Sequence, residues 1–357
     1  MVTPIIGRIL NSRSKTLDLS QKHLRKCPDM ICQLPKLEKV ILTNNELNEL
    51  PDDFGNIKQL QLLDIAGNEF QILPVQIQHL LNLKKLLAYR NKIKSLPPGI
   101  FGGLKSLTVL NLNKNELHKI PAEIGGLINL KYFSAEHNHL TELPEELCQL
   151  QQLEELHIGY NRLVTLPVNL GSLQNLKELH AHRNHLQELP GSISKCIHLT
   201  VLDVASNNLN IFPVEFDKLH LKRFHYECNP LLQSDLNPSY RDADIFPLKE
   251  LVVRFVMNEM KRHYPMLWNS MIERKEIQQI VEKGNHCVIC NGFHLHIHFS
   301  CVTFFNAKKR LKTQTPKGPI PMQILLCSSQ CFKSKESFSI PPDVHISLVS
   351  GITTKTS

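Results

Sequence analysis

The sequence is poor in several features that mark whole classes of protein. It has a single tryptophan, six tyrosines and only 15 glycines in 357 residues. Glycine-rich phosphate and dinucleotide loops are missing, as is any carboxylate–His–nucleophile order of a hydrolase. No run of 18 consecutive apolar residues occurs, so no transmembrane helix is expected. The net charge of +8 is not spread along the chain. Residues 301–357 hold eight basic and two acidic side chains, leaving +2 for the first 300. A nearly neutral body argues against general wrapping of nucleic acid. Residues 1–15 carry Arg8 and Arg13 beside Ile5, Ile6, Ile9 and Leu10, with no continuous apolar core and no small-residue cleavage site. That does not read as a secretory signal. The ten cysteines are therefore expected as thiols or metal ligands in the cytoplasm rather than as disulfides.

What the chain does have is a repeat. Asparagine recurs at Asn45, Asn68, Asn91, Asn115, Asn138, Asn161, Asn184, Asn207 and Asn229, at intervals of 22 to 24 residues. The one interval of 24 contains Gly102-Gly103. Leucines keep phase with each asparagine, as in Leu107, Leu110, Leu112, Asn115, Leu117 and in Leu153, Leu156, Ile158, Asn161, Leu163. The Leu-x-Leu piece reads as a short strand that buries alternate side chains. The asparagine then sits at a buried turn, where its amide pairs with open backbone groups. Nine of the 21 prolines, from Pro28 to Pro213, hold one phase after it. Proline lacks an N–H, so the strand stops there and the chain turns back through one or two helical turns. One unit cannot bury its own core; stacking about ten builds a solenoid whose parallel strands line a concave face.

This pattern resembles the 23-residue class of cytosolic leucine-rich repeats, and the resemblance implies an α/β leucine-rich repeat solenoid with short helices on its convex side. Residues 16–232 are assigned to it, with 1–15 as an N-terminal cap. The strand phase offers Tyr89, Arg90, Lys114, Tyr132, Glu136, His137, His157, Tyr160, His180, His182, Arg183, Arg223 and His225 on the concave face. Tyr and Arg are enriched at the energetic centres of interfaces. The expectation is a protein partner of unknown identity on repeats four to ten; the alternatives are a solvated polar face and a histidine cluster serving a metal-dependent enzyme.

The repeat ends at Asn229-Pro230, and 233–284 read as a linker and capping helices. Leu248, Leu251, Val252, Phe255 and Val256 share one face of an amphipathic helix opened by Pro247. Such a helix would cover the apolar end of a solenoid. Pro247-Leu248-x-x-x-Val252-x-x-x-Val256 also resembles the elongin-binding box of cullin-ligase substrate receptors. That resemblance implies elongin B and C as partners, with Leu248 entering elongin C; the bulk of Val252 departs from the small residue usual there. In residues 285–335, Cys287-x-x-Cys290-x-Gly292 has the shape of a zinc knuckle, and Cys327-x-x-x-Cys331 supplies a second pair. Apolar stretches between them suggest a hairpin, so the segment resembles a treble-clef finger. Four thiolates would make a closed structural Zn²⁺ site. Residues 336–357 read as a disordered tail. The whole resembles cytosolic leucine-rich repeat proteins with a Cys-rich C-terminal module: non-enzymatic adaptors, with signal transduction as the expected setting.

Overall fold

The computed structural model describes residues 14–232, together with 285–287, 291, 293–294, 299–306, 311, 319–326, 331 and 345–348. Ten three-residue strands form one parallel sheet in chain order. They are β1 (Thr16–Asp18), β2 (Lys39–Ile41), β3 (Leu62–Asp64), β4 (Lys85–Leu87), β5 (Val109–Asn111), β6 (Tyr132–Ser134), β7 (Glu155–His157), β8 (Glu178–His180), β9 (Val201–Asp203) and β10 (Arg223–His225). The central residue of every strand is fully buried, from Leu17 through Phe133 to Phe224. Its two neighbours point to the opposite face, as the pleat requires.

The asparagines hold the stack together. Asn161 Nδ2 donates to Ile158 O in its own repeat at 3.1 Å and to Ala135 O of the previous one at 2.9 Å. Its Oδ1 accepts from Leu140 N at 3.0 Å. The same three bonds recur at Asn68, Asn138 and Asn184. Each amide thus satisfies backbone groups that neighbouring turns leave open. To aim the amide inward, the residue before it takes a left-handed backbone. Asn44, Arg90, Lys114, His137, Tyr160, Arg183 and Ser206 all have φ of 53–56°.

The expected short helices are single 3₁₀ turns. Each begins after a proline, whose carbonyl accepts from the third residue on: Phe54 N to Pro51 O at 3.0 Å, Leu147 N to Pro144 O at 3.1 Å. Among residues 14–232 no α-helix forms. Only seven to nine residues separate each proline from the apolar position opening the next repeat, as between Pro144 and Leu153 or Pro97 and Leu107, too few for a stable α-helix. The repeat with one extra residue absorbs it in a turn around Gly99, whose φ of 75° suits glycine.

The chain divides into two compact units. The first is residues 1–209, 217–230 and 311–316; the second is 210–216, 231–310 and 317–357. In the second, β11 (Asn285–His286) pairs antiparallel with β12 (Phe293–His294), and β13 (Phe299–Asn306) pairs antiparallel with β14 (Pro319–Leu326). Phe212 N donates to Pro321 O at 3.0 Å, and Phe212 O accepts from Gln323 N at 2.8 Å. β15 (His345–Leu348) pairs with Cys301–Phe304 of β13. That corrects the expected disordered tail at four residues: His-Ile-Ser-Leu alternates polar and apolar, which suits an added edge strand. No helix among the described residues is long and apolar enough to cross a membrane.

Candidate interaction face and its histidine cluster

The residues expected on the concave face fall into two rows on the open face of the sheet. Tyr132, His157, His180 and His225 stand on strand positions, and Tyr89, Glu136 and His182 lie two residues past their strands' ends. Arg90, Lys114, His137, Tyr160 and Arg183 belong to the row of left-handed turns instead. Alternation in the sequence does not separate the two rows, because the kink before each asparagine breaks the period of two.

The turn row is pre-assembled around Tyr160. Its ring stacks on His137 with centroids 4.0 Å apart and planes 17° from parallel. Arg183 Cζ lies 5.0 Å from the ring centre, and His182 meets the ring edge-on at 5.2 Å. These contacts fix rotamers that would otherwise be lost on binding. An open depression of about 450 Å³ lies beside them, lined by His137, His139, Tyr160, Arg162, Arg183 and His185 with Asn138 and Asn161. No carboxylate lines it.

The strand row is a file of rings. Tyr132, His157 and His180 follow each other on β6 to β8, with centroid spacings of 5.1 and 4.5 Å. His157 and His180 are register partners, as are His180 and Asp203. Burial, then the neighbouring His180, pushes the His157 imidazole down to about 4, so it is neutral near pH 7. His157 Nε2 lies 3.5 Å from Glu155 Oε2 but makes no hydrogen bond. Burial and then Lys114 lower His137, and burial raises Tyr132. Two groups of ligand atoms lie within 4.8 Å of one another: His157, Glu178 and His180, and His180, His182 and Asp203. The sequence placed the histidines on this face, but not Asp203 or Glu178. The repeat phase could have found both, since they share the strand positions of His180 and its neighbour two residues earlier.

The other expected residues fall in the second unit. Leu248, Leu251, Val252, Phe255, Val256, Cys290 and Cys327 lie outside the described residues. Cys287 is buried and Cys331 partly exposed. Asn291 N donates to Cys287 O at 2.9 Å, and Asn291 takes the left-handed turn with φ of 57°. Gly292, expected to supply that turn, lies outside the described residues.

Ten short parallel strands, a buried asparagine ladder and proline-opened turns define a leucine-rich repeat array. The family model "Leucine rich repeat" matches residues 81–140. The chain resembles leucine-rich repeat-containing protein 69. It is 35% identical to the Xenopus laevis protein over 120 residues, 34% of this chain and 35% of that one. To the Homo sapiens protein it is 32% identical over 116 residues, covering 32% and 33%. The matched stretch thus spans about a third of the length of these relatives. Among solved structures, a leucine-rich repeat protein of Leptospira interrogans superposes with a TM-score of 0.59 at 32% identity, covering 64% of each chain. A plant peptide hormone receptor in complex with the peptide RGF2 superposes with a TM-score of 0.53 at 28% identity, covering 58% of this chain and 34% of the receptor. These likenesses support a role in protein interaction.

Proposed function

We propose that this chain is a non-enzymatic adaptor that captures a protein partner on the open face of the sheet, over repeats six to eight. The observation that carries this reading is the locked group His137–Tyr160–Arg183. Tyr160 is 37% exposed although it is held on both sides. An aromatic ring fixed in place yet open to solvent offers contact area with little entropy left to lose. Tyr and Arg are the residue types over-represented where binding energy concentrates. The plant receptor above is titled as a complex with a peptide hormone, and an analogous use of the face fits a rigid array. An adaptor acting in signal transduction, built on a structural Zn²⁺ module of Cys287, Cys290, Cys327 and Cys331, is the fuller form of this proposal.

The test is quantitative affinity purification of the full chain against Tyr160→Ala/Arg183→Ala. Both side chains are exposed, so the melting temperature of the double variant is expected to stay close to that of the parent. Proteins recovered with the parent are expected to fall at least tenfold with the variant. Undiminished recovery by a folded variant would place the binding surface elsewhere.

A further inference from the structure

The histidine cluster beside that patch is organised beyond what a polar protein surface needs. Asp203 Oδ1 accepts from Ala205 N at 3.2 Å, which fixes the carboxylate and leaves Oδ2 facing two imidazoles. His182 Nδ1 lies 3.3 Å from that oxygen and His180 Nδ1 3.9 Å. His182 Nδ1 is nevertheless buried and has no hydrogen-bond partner among the described residues. A buried ring nitrogen left unsatisfied is costly unless something else takes its lone pair. His180 is held from behind: its other nitrogen, Nε2, meets Glu178 Oε2 at 3.4 Å, and Glu178 Oε1 lies 3.5 Å from an Arg223 terminal nitrogen. A carboxylate on the far nitrogen is what sets the tautomer of a metal-ligating histidine and raises its basicity. The His182 ring also needs Gly159. A Cβ at 159 would stand 2.7 Å from His182 Cε1 and 2.9 Å from Nδ1.

We infer that His180 Nδ1, His182 Nδ1 and Asp203 Oδ2 form a Zn²⁺ site on the open face of the sheet. Zinc bonds of about 2.0–2.2 Å to nitrogen and oxygen put tetrahedral ligands about 3.4 Å apart. The His182–Asp203 pair already has that spacing, and His180–Asp203 needs a closure of about half an ångström. One ligand atom from each of the three residues lies within 4.8 Å of the other two. Two residues apart on one strand direction, His180 and His182 share a face for the same reason that strand side chains alternate. The other group, His157 with Glu178 and His180, would use the same His180 ring and take Glu178 from its supporting role. With three protein ligands the fourth position stays open to water or to a side chain of a bound protein. The site is tested separately from partner capture: His182 meets the Tyr160 ring edge-on, but no ligand is substituted in Tyr160→Ala/Arg183→Ala.

The test uses tag-free full-length chain stripped with chelator and titrated with Co²⁺, then displaced with Zn²⁺. Cobalt bound by nitrogen and oxygen shows visible d–d bands without the near-ultraviolet charge transfer that thiolates give. That component is expected in the parent and in Cys287→Ser/Cys331→Ser. It is expected to weaken at least tenfold in His182→Ala and in Asp203→Asn, and about tenfold in Glu178→Gln, the positioning residue. Asp203→Asn keeps the acceptor for Ala205 N, so it tests the ligand without removing the local turn. A parent that binds no thiolate-free Co²⁺, or folded His182→Ala and Asp203→Asn variants that bind it as the parent does, overturns the site.

Discussion

At the scale of single residues, two kinds of side chain decide the first unit, and they differ in how they show in the sequence. Asn161 is buried and makes four bonds to backbone groups of two repeats. Asn161→Ala would orphan Leu140 N–H, while the carbonyls of Ala135 and Ile158 lose one of their two amide partners and keep those of Asn138 and Asn184. At about 1–3 kcal/mol for the orphaned N–H and about 0.5–1.5 kcal/mol for each other bond lost, the variant is expected to lose about 3 kcal/mol, read as a shift of the urea midpoint at unchanged slope. Histidine gives the second residue-scale prediction. The folded His157 ring titrates at about 4, against about 6.5 in an unfolded chain. As pH falls, the unfolded state takes up this proton first. Stability is therefore whole above about pH 6.5 and declines as pH drops toward 4. His157→Gln should flatten that part of a plot of melting temperature against pH, and an NMR titration should show the parent ring neutral at pH 5.5. The asparagines were legible because they recur on the 23-residue beat, in phase with the leucines and prolines. The partners of His182 were not: Gly159 and Asp203 lie in other repeats, and only the register brings them to one ring.

At the scale of the element, each strand is three residues with one job inside and two outside. On β6, Phe133 is fully buried while Tyr132 is half-buried on the open face. Phe133→Ala empties a large core volume and is expected to cost about 3–5 kcal/mol. Tyr132→Ala removes a half-buried ring that packs on His157 and is expected to cost about 1 kcal/mol, at the low end of core effects. Denaturant unfolding of the two variants compares neighbours one position apart, and equal losses would mean that the strand does not alternate as described. The strands were legible for this reason: burial on one face leaves a period of two around every leucine. The 3₁₀ turns were less so. Proline marks their start, but the apolar spacing of three that follows suits an α-turn as well, and only the length of the loop excludes it. The left-handed row was hidden altogether, since Arg90, Lys114, His137, Tyr160 and Arg183 share a backbone angle and no common residue type.

At the scale of the molecule, the first unit is a stack in which each repeat bonds mainly to its neighbours. The sheet runs β1 to β10 in strict order, and the backbone bond after each asparagine reaches back one repeat, as Glu116 N to Ile93 O at 2.9 Å and His139 N to Leu117 O at 2.9 Å. Stability in such a stack is close to a sum of repeat and nearest-neighbour contributions. Phase therefore matters more than length. Deleting residues 116–138 joins Asn115 to His139, so that His139 N can take the place of Glu116 N on Ile93 O and β5 can pair with β7. That shortened chain is expected to fold, with circular dichroism per residue like the parent and a lower melting temperature. Deleting only residues 116–127 removes about half a repeat and puts Phe133 and the Asn138 amide out of step with the turns that receive them. Each buried strand residue downstream would then meet the wrong neighbour, and the product is expected to lose cooperative unfolding. If the shorter deletion is the better tolerated of the two, the stack is held by something other than its period. The same logic explains where the sequence stops being informative. Beyond Asn229 no residue type recurs at a fixed interval, so pairings such as Phe212 with Pro321 and Gln323, or β15 with β13, have no beat to announce them. They depend on contacts between segments about a hundred or about forty residues apart, which a local pattern of apolar residues cannot specify.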